Sequence, residues 1–176
     1  MKVLFSEEQI RKRVEEVAQE IDSVFPHEPP IIVGVLNGAF IFTADLVRSM
    51  RSFVEIDFIR ASSYGYFAET SGKVKITKDM EKSVLGRDVV VVEDILDSGI
   101  TLNFIKGWLQ KKQPRSLRFC VLLDKKALRK EPFVAEHVCF SIDDGFVVGY
   151  GLDYGERYRN LSNIQLLVGE ENAKCS

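Results

Sequence analysis

Between Glu93 and Thr101 the chain sets three carboxylates, Glu93, Asp94 and Asp97, beside two hydroxyls, Ser98 and Thr101, with Gly99 among them. Gly99 lets the backbone curl. The hydroxyls stand next to the N–H groups that a starting helix leaves unpaired, so the turn can cradle a phosphate. A phosphate alone leaves the acids unexplained, because carboxylates repel a bare anion. They need hydroxyls to accept from, a Mg²⁺ ion to offset them or a proton to take. A sugar phosphate with vicinal hydroxyls and Mg²⁺ meets all three needs. The plainer alternative is a polar loop between strand and helix, with Asp97 or Ser98 as the N-cap.

Regular elements must hold this turn in place. Val89-Val90-Val91-Val92 reads as a strand covered on both faces, the habit of a parallel sheet, and ligands of such sheets bind where the strands end. Leu102, Ile105, Trp108 and Leu109 then line one face of a helix that Lys111 and Lys112 close before Pro114, which makes Trp108 core. The same order recurs upstream: an apolar strand over Ile31 to Leu36, a tight turn at Asn37-Gly38-Ala39, and a helix to about Met50.

Before these, Ser6 and Gln9 form a capping box, and Ile10, Val14, Val17 and Ile21 repeat at helical spacing up to Phe25-Pro26. Residues 54–59 alternate as a strand that runs on toward Ser62-Ser63-Tyr64-Gly65. From there to about Lys75 an aperiodic loop follows, of the length that lids have. A strand over 117–123 ends at Asp124-Lys125-Lys126, and 138–140, 146–150 and 164–168 are shorter strand candidates. The run from Lys125 to Lys130 reads as a solvated basic face. Lys125 is its exception, since it stands at the sheet end shared with the acids, where it could meet an oxygen of a bound ring. Strands alternating with helices predict a doubly wound, mostly parallel α/β sheet. No repeat or linker divides the chain, so one domain over 1–176 is expected.

Composition narrows the function further. The chain has 176 residues, 45% hydrophobic and 28% charged, with a net charge of −2. That is ordinary for a globular protein and supplies no field to hold nucleic acid. Cys120, Cys139 and Cys175 form no Cys-x-x-Cys pair, which favours reduced thiols in the cytoplasm over a disulfide frame or zinc site. His27 lies among prolines and His137 before an apolar run, and neither has the neighbours of a catalytic histidine. No segment approaches the roughly 20 apolar residues of a membrane span.

The stretch Val89 to Leu102 resembles the phosphoribosyl pyrophosphate motif of the type I phosphoribosyltransferases: apolar strand, two acids, two apolar residues, Asp, Ser or Thr, Gly, any residue, Thr. Further segments are similar to the hypoxanthine-guanine branch. These are residues 146–154 with 156–159 at the C-terminal signature, Ser62-Ser63-Tyr64-Gly65 at the start of the lid, and residues 34–39 as the pyrophosphate loop.

The resemblance implies the type I fold with a small hood and a mobile lid headed by Ser63 and Tyr64. It implies transfer of a phosphoribosyl group from phosphoribosyl pyrophosphate to a purine base, with Mg²⁺ as cofactor and a homodimer or homotetramer as the assembly. By the same resemblance, Glu93 and Asp94 hold the ribose hydroxyls and one Mg²⁺. The turn Asp97-Ser98-Gly99-Ile100-Thr101 binds the 5′-phosphate, and Asp97 acts as general base. Lys125 reads the 6-oxo group, Phe146 stacks on the purine and the Val147 backbone reads the ring edge. Asp153 holds a second Mg²⁺. Asn37, Gly38 and Arg159 meet the pyrophosphate. One departure stands out: the family commonly has Lys or Arg where this chain has Asn37. Two alternatives share the fold: a relative that prefers xanthine, and a regulator that binds phosphoribosyl pyrophosphate or nucleotide without turnover.

Overall fold

The structure, a computed structural model, describes residues 1–63, 74–127 and 129–167. Tyr64, most of the lid-like loop, Leu128, Val168 and Cys175 lie outside the described residues.

Two sheets form. The larger has six strands: β2 (Ile31–Leu36), β3 (Glu55–Ser63), β4 (Val74–Lys78), β5 (Asp88–Leu96), β6 (Ser116–Lys125) and β7 (His137–Ile142). Their order is β4-β3-β2-β5-β6-β7, parallel except for β4, which pairs antiparallel with β3. The smaller antiparallel sheet joins β1 (Lys2–Phe5), β9 (Ile164–Leu167) and β8 (Phe146–Val148) and corresponds to the expected hood.

The helices are α1 (Glu7–Val24), α2 (Phe40–Ser49) and α3 (Ile100–Gln110). α1 starts as expected, with the Gln9 N–H donating to Ser6 Oγ at 3.3 Å and the Ser6 N–H to Gln9 Oε1 at 2.8 Å. Two orphan donors are thereby satisfied reciprocally.

The four valines of β5 show why the sheet is buried on both sides. Val90 and Val92 enter a core with Ile10, Val14 and Val17 of α1 and Phe42 and Leu46 of α2. Val89 and Val91 enter a second core with Ile105 and Leu109 of α3. All four are fully buried, and each such side chain stabilises the fold by about 1.5 kcal/mol or more before entropy is counted. Trp108 is half-buried against the second core with Lys112 Nζ over its ring at 4.5 Å, so it stands at the edge of the core and not inside it.

This topology creates the crevice. From β2 the chain winds to β3 on one side, whereas β5, β6 and β7 follow on the other. The connections leaving the carboxyl ends of β2 and β5 therefore diverge, and ligands of doubly wound sheets bind where that happens. Three strands differ from expectation. The sequence pattern names no strand at β1 or β4, and β6 runs through Lys125, so this lysine ends the strand instead of following it.

Candidate active site

A crevice of about 310 Å³ lies at this switch point. Asn37 and Gly38 line it from the β2–α2 turn, residues 93–99 from β5 and its connection to α3, Thr101 from the first turn of α3, and Asp153 and Arg159 from the loop after β8. Three segments far apart in sequence are thus brought together. A larger cavity of about 480 Å³ lies between α1, α2 and residues 160–162, where the Tyr150 hydroxyl donates to Asp45. It contains none of the acidic motif, so we place the chemistry in the smaller crevice.

The turn before α3 has the backbone form that can cradle an anion. Gly99 is the N-cap in the left-handed region at φ 84°, and no side chain caps the helix. This corrects the alternative that Asp97 or Ser98 is the cap: Ser98 Oγ accepts from the Ile100 N–H only at 3.4 Å, and the Asp97 carboxylate does not cap. The first helical bond runs from the Asn103 N–H to the Gly99 carbonyl, so the Thr101 and Leu102 N–H groups ahead of it take no part in the helix ladder and can serve a ligand. Glycine is required at position 99 on two counts. A Cβ there would sit in a disfavoured backbone region and 2.4 Å from the Glu131 carbonyl oxygen.

The acids differ in environment. Glu93 is buried, and burial followed by the neighbouring charge of Asp94 pushes its carboxyl well above the usual range. Asp94 is raised as well, first by burial, although the Glu93 hydrogen bond, backbone N–H groups and the Arg159 charge oppose the rise. Asp97 lines the same crevice, and its Oδ1 is buried without a hydrogen-bond partner among the described residues.

The opposite wall carries the cation. Arg159 Nη2 contacts Asp153 Oδ1 at 3.0 Å and Glu156 Oε2 at 3.1 Å, and Nη1 donates to the Gly151 carbonyl at 2.9 Å. Asp153 is thus paired with Arg159, and among the described residues no three His, Cys, Asp or Glu gather as a metal cluster. Gly38 packs so tightly on the acidic motif that a Cβ would fall 1.7 Å from Asp94 Oδ2. Asn37 is exposed at the crevice rim, after a cis peptide bond from Leu36.

Lys125, Phe146 and Val147 lie outside the described lining of the crevice. Lys125 is buried at the carboxyl end of β6, with Nζ 3.4 Å from Asp144 Oδ1. Phe146 opens β8 and is 44% exposed, with the Tyr154 ring edge-on at 5.0 Å, so one of its faces has room for a planar ligand. Val147 is buried beside it. Tyr154 follows Asp153 directly, which connects this aromatic group to the crevice wall. Ser63 ends β3, and Tyr64, the other residue expected to head the lid, lies outside the described residues.

Sequence reasoning missed Arg129. Read as part of a solvated basic face, it is instead largely buried, and its Nε donates to the Asp97 carbonyl at 2.8 Å. A basic run carries no signal for this, because the accepting carbonyl lies 32 residues away. Asp144 as partner of Lys125, and Ala61 as part of the crevice wall, were likewise not foreseen.

Comparison with known proteins agrees with this geometry. Residues 3–155 match the phosphoribosyl transferase domain family. A protein of Aquifex aeolicus named hypoxanthine-guanine phosphoribosyltransferase is 48% identical over 168 residues, which is 95% of this chain and 94% of that protein. One of the same name from Bacillus subtilis is 46% identical over 166 residues, 94% of this chain and 92% of its own. The crystal structure of a hypoxanthine-guanine phosphoribosyltransferase from Bacillus anthracis, with HEPES in its active site, superposes with a TM-score of 0.91. It is 48% identical and covers 96% of this chain and 99% of that one.

Proposed function

The chain belongs to the phosphoribosyltransferase family, and we propose that it is a purine-salvage enzyme that moves the 5-phosphoribosyl group of phosphoribosyl pyrophosphate onto hypoxanthine or guanine. The products are the nucleoside 5′-monophosphate and pyrophosphate. The observation that carries this reading is the switch-point crevice, where an uncapped helix start, the Asp97 carboxylate and Arg159 line one space. The relatives just compared are all named as transferases, which leaves the regulatory alternative without support.

Each residue has a part that its surroundings favour. The N–H groups and hydroxyls from Ser98 to Thr101 take the 5′-phosphate. Glu93 and Asp94 accept from the ribose hydroxyls. Asp97, which lines the same crevice, takes the proton that the purine nitrogen loses. Lys125 donates to the 6-oxo group, Phe146 stacks on the ring and the Val147 backbone meets its edge. Arg159 offers a planar fork to pyrophosphate oxygens, which compete with Asp153 and Glu156 for it.

The donors also suit Mg²⁺. They are hard oxygens in small sets, Glu93 with Asp94 at one site and Asp153 at another, and Mg²⁺ commonly takes one or two carboxylates and completes its shell with waters and substrate phosphates. When bound, it supplies charge neutralisation for the departing pyrophosphate.

No helix among the described residues is long and apolar enough to cross a membrane. Cys120 and Cys139 are buried and free, which supports a reducing, cytoplasmic setting. A homodimer or homotetramer is the assembly expected from family membership.

The test is an acceptor series with phosphoribosyl pyrophosphate and Mg²⁺. Hypoxanthine and guanine should turn over, with adenine disfavoured by about 100-fold or more, since its amine leaves the buried Lys125 donor unmatched. Xanthine turnover measured alongside sets its rank among the 6-oxo purines. Equal use of adenine would remove Lys125 as the reader of the 6-position. Failure with every base would overturn the assignment.

A further inference from the structure

We propose that Arg129 is a positioning residue for the 5′-phosphate turn, acting through the carbonyl side of the loop while the ligand occupies the N–H side. The proposal rests on reading the Asp97–Thr101 turn as the phosphate site. A loop that converges its N–H groups on an anion must point its carbonyls the other way, and buried carbonyls need donors. In this structure the donors come from the β6–β7 connection. Arg129 Nε donates to the Asp97 carbonyl at 2.8 Å, and Nη2 reaches the Leu96 carbonyl at 3.4 Å. The backbone N–H groups of Lys130 and Glu131 donate to the Ser98 carbonyl at 2.9 and 3.0 Å.

Three consecutive carbonyls, Leu96, Asp97 and Ser98, are thus held from behind. Each peptide unit is planar, so fixing one carbonyl fixes the N–H of the following residue. Through that rigidity the Leu96, Asp97 and Ser98 carbonyls set the N–H directions of Asp97, Ser98 and Gly99.

The guanidinium is anchored in turn. Nη1 donates to the Phe133 carbonyl at 2.7 Å, and Nη2 pairs with the Asp124 carboxylate. The side chain is only 20% exposed. Asp124 balances its charge, so geometry and not charge is what Arg129 supplies. A lysine keeps the charge but lacks a planar fork that can serve Asp97, Phe133 and Asp124 together.

The experiment separates phosphate recognition from the rest of the site by comparing IMP with inosine, which differ only in the 5′-phosphate. Calorimetry on the full chain should show wild type binding IMP far more tightly than inosine. In Arg129→Lys, IMP affinity should fall about 10-fold while inosine affinity stays put, and the KM for phosphoribosyl pyrophosphate should rise without a matching rise for hypoxanthine. Asp124→Asn, whose residue lies outside the described crevice lining, loosens the same anchor and should shift the IMP-to-inosine ratio in the same direction by about 3-fold. An unchanged ratio in a folded Arg129→Lys overturns the proposal, and if that variant does not fold, an unchanged ratio in Asp124→Asn does so. Equal binding of IMP and inosine by wild type would instead refute the phosphate-site reading on which it rests.

Discussion

Replacing Asp97 by Asn separates proton transfer from every other task this residue could have. The side chain does not cap α3, because Gly99 is the N-cap, so the roughly 1 kcal/mol that a lost cap costs does not arise. The bond from Arg129 goes to the Asp97 main-chain carbonyl and survives the substitution. The buried Oδ1 has no partner to lose among the described residues. Stability should therefore change by no more than about 0.5 kcal/mol, which moves the melting temperature of a chain this long by about 2 °C at most. The amide has no basic lone pair to take the purine proton, so turnover should fall by about 100-fold or more. A 100-fold loss corresponds to about 2.7 kcal/mol of transition-state stabilisation, well above the stability effect. Steady-state rates with hypoxanthine, melting temperature and affinity for phosphoribosyl pyrophosphate measured on one preparation decide the matter. Near-wild-type turnover in the folded variant would take Asp97 out of the mechanism, and a rate loss matched by lost substrate affinity would make it a binding residue.

Two other outcomes follow from the carboxylates. Chelation of divalent ions should abolish turnover and added Mg²⁺ restore it, because Glu93, Asp94 and Asp153 flank the place proposed for a pyrophosphate; full activity in excess chelator would give these acids another role. Asp57 is buried, which by itself would raise its pKa, yet N–H bonds from Lys82, Phe58 and Glu81 and the Lys78 charge hold it below the usual carboxylate value. Its folded pKa is depressed, so its stabilisation is present above the unfolded value of about 3.9 and is lost as pH falls through the lower folded value. Asp57→Asn should cost about 2 kcal/mol at neutral pH and flatten the acid limb of the unfolding profile; a limb as steep as wild type would show that other groups govern it.

How far the residues foretold this molecule depends on whether the signal was local. The β5 strand and the turn after it were legible because burial on both faces demands an unbroken apolar run, and an anion cradle demands glycine and hydroxyls within a few positions. The α1 start was legible for the same reason, since Ser6 and Gln9 satisfy each other across three residues. β1 has four residues and β4 is an edge strand with half-exposed side chains, so neither needs a strong hydrophobic pattern. Arg129 was illegible because what it does is set by carbonyls from a different strand, which only the tertiary fold brings near. The alternative of a side-chain cap fails for a related reason. Asp and Ser are good caps in isolation, but here the chain turns one residue later, at Gly99, where the Glu131 carbonyl leaves no space for a side chain.

Asn37 in place of a cation has a structural context of the same kind. The Gly38 backbone is confined on two sides: a Cβ on Gly38 would overlap Asp94, and one on Gly151, itself at φ 101°, would lie 2.1 Å from the Gly38 carbonyl oxygen. Gly151 is in turn tied to Arg159, whose backbone carbonyl accepts from the Gly151 N–H at 3.0 Å while its guanidinium donates to the Gly151 carbonyl. The β2–α2 turn is therefore shaped by backbone contacts with the acidic motif and the Arg159 loop, and none of these requires a particular side chain at position 37. The electrostatic consequence is separate from the geometric one. Arg159 is the one cationic side chain among the described residues lining the crevice, and it already serves two carboxylates. Charge complementarity for a pyrophosphate consequently falls on Arg159 and on the divalent ions proposed for the acids, which makes this site more dependent on those ions than one with a second cation at the β2–α2 turn.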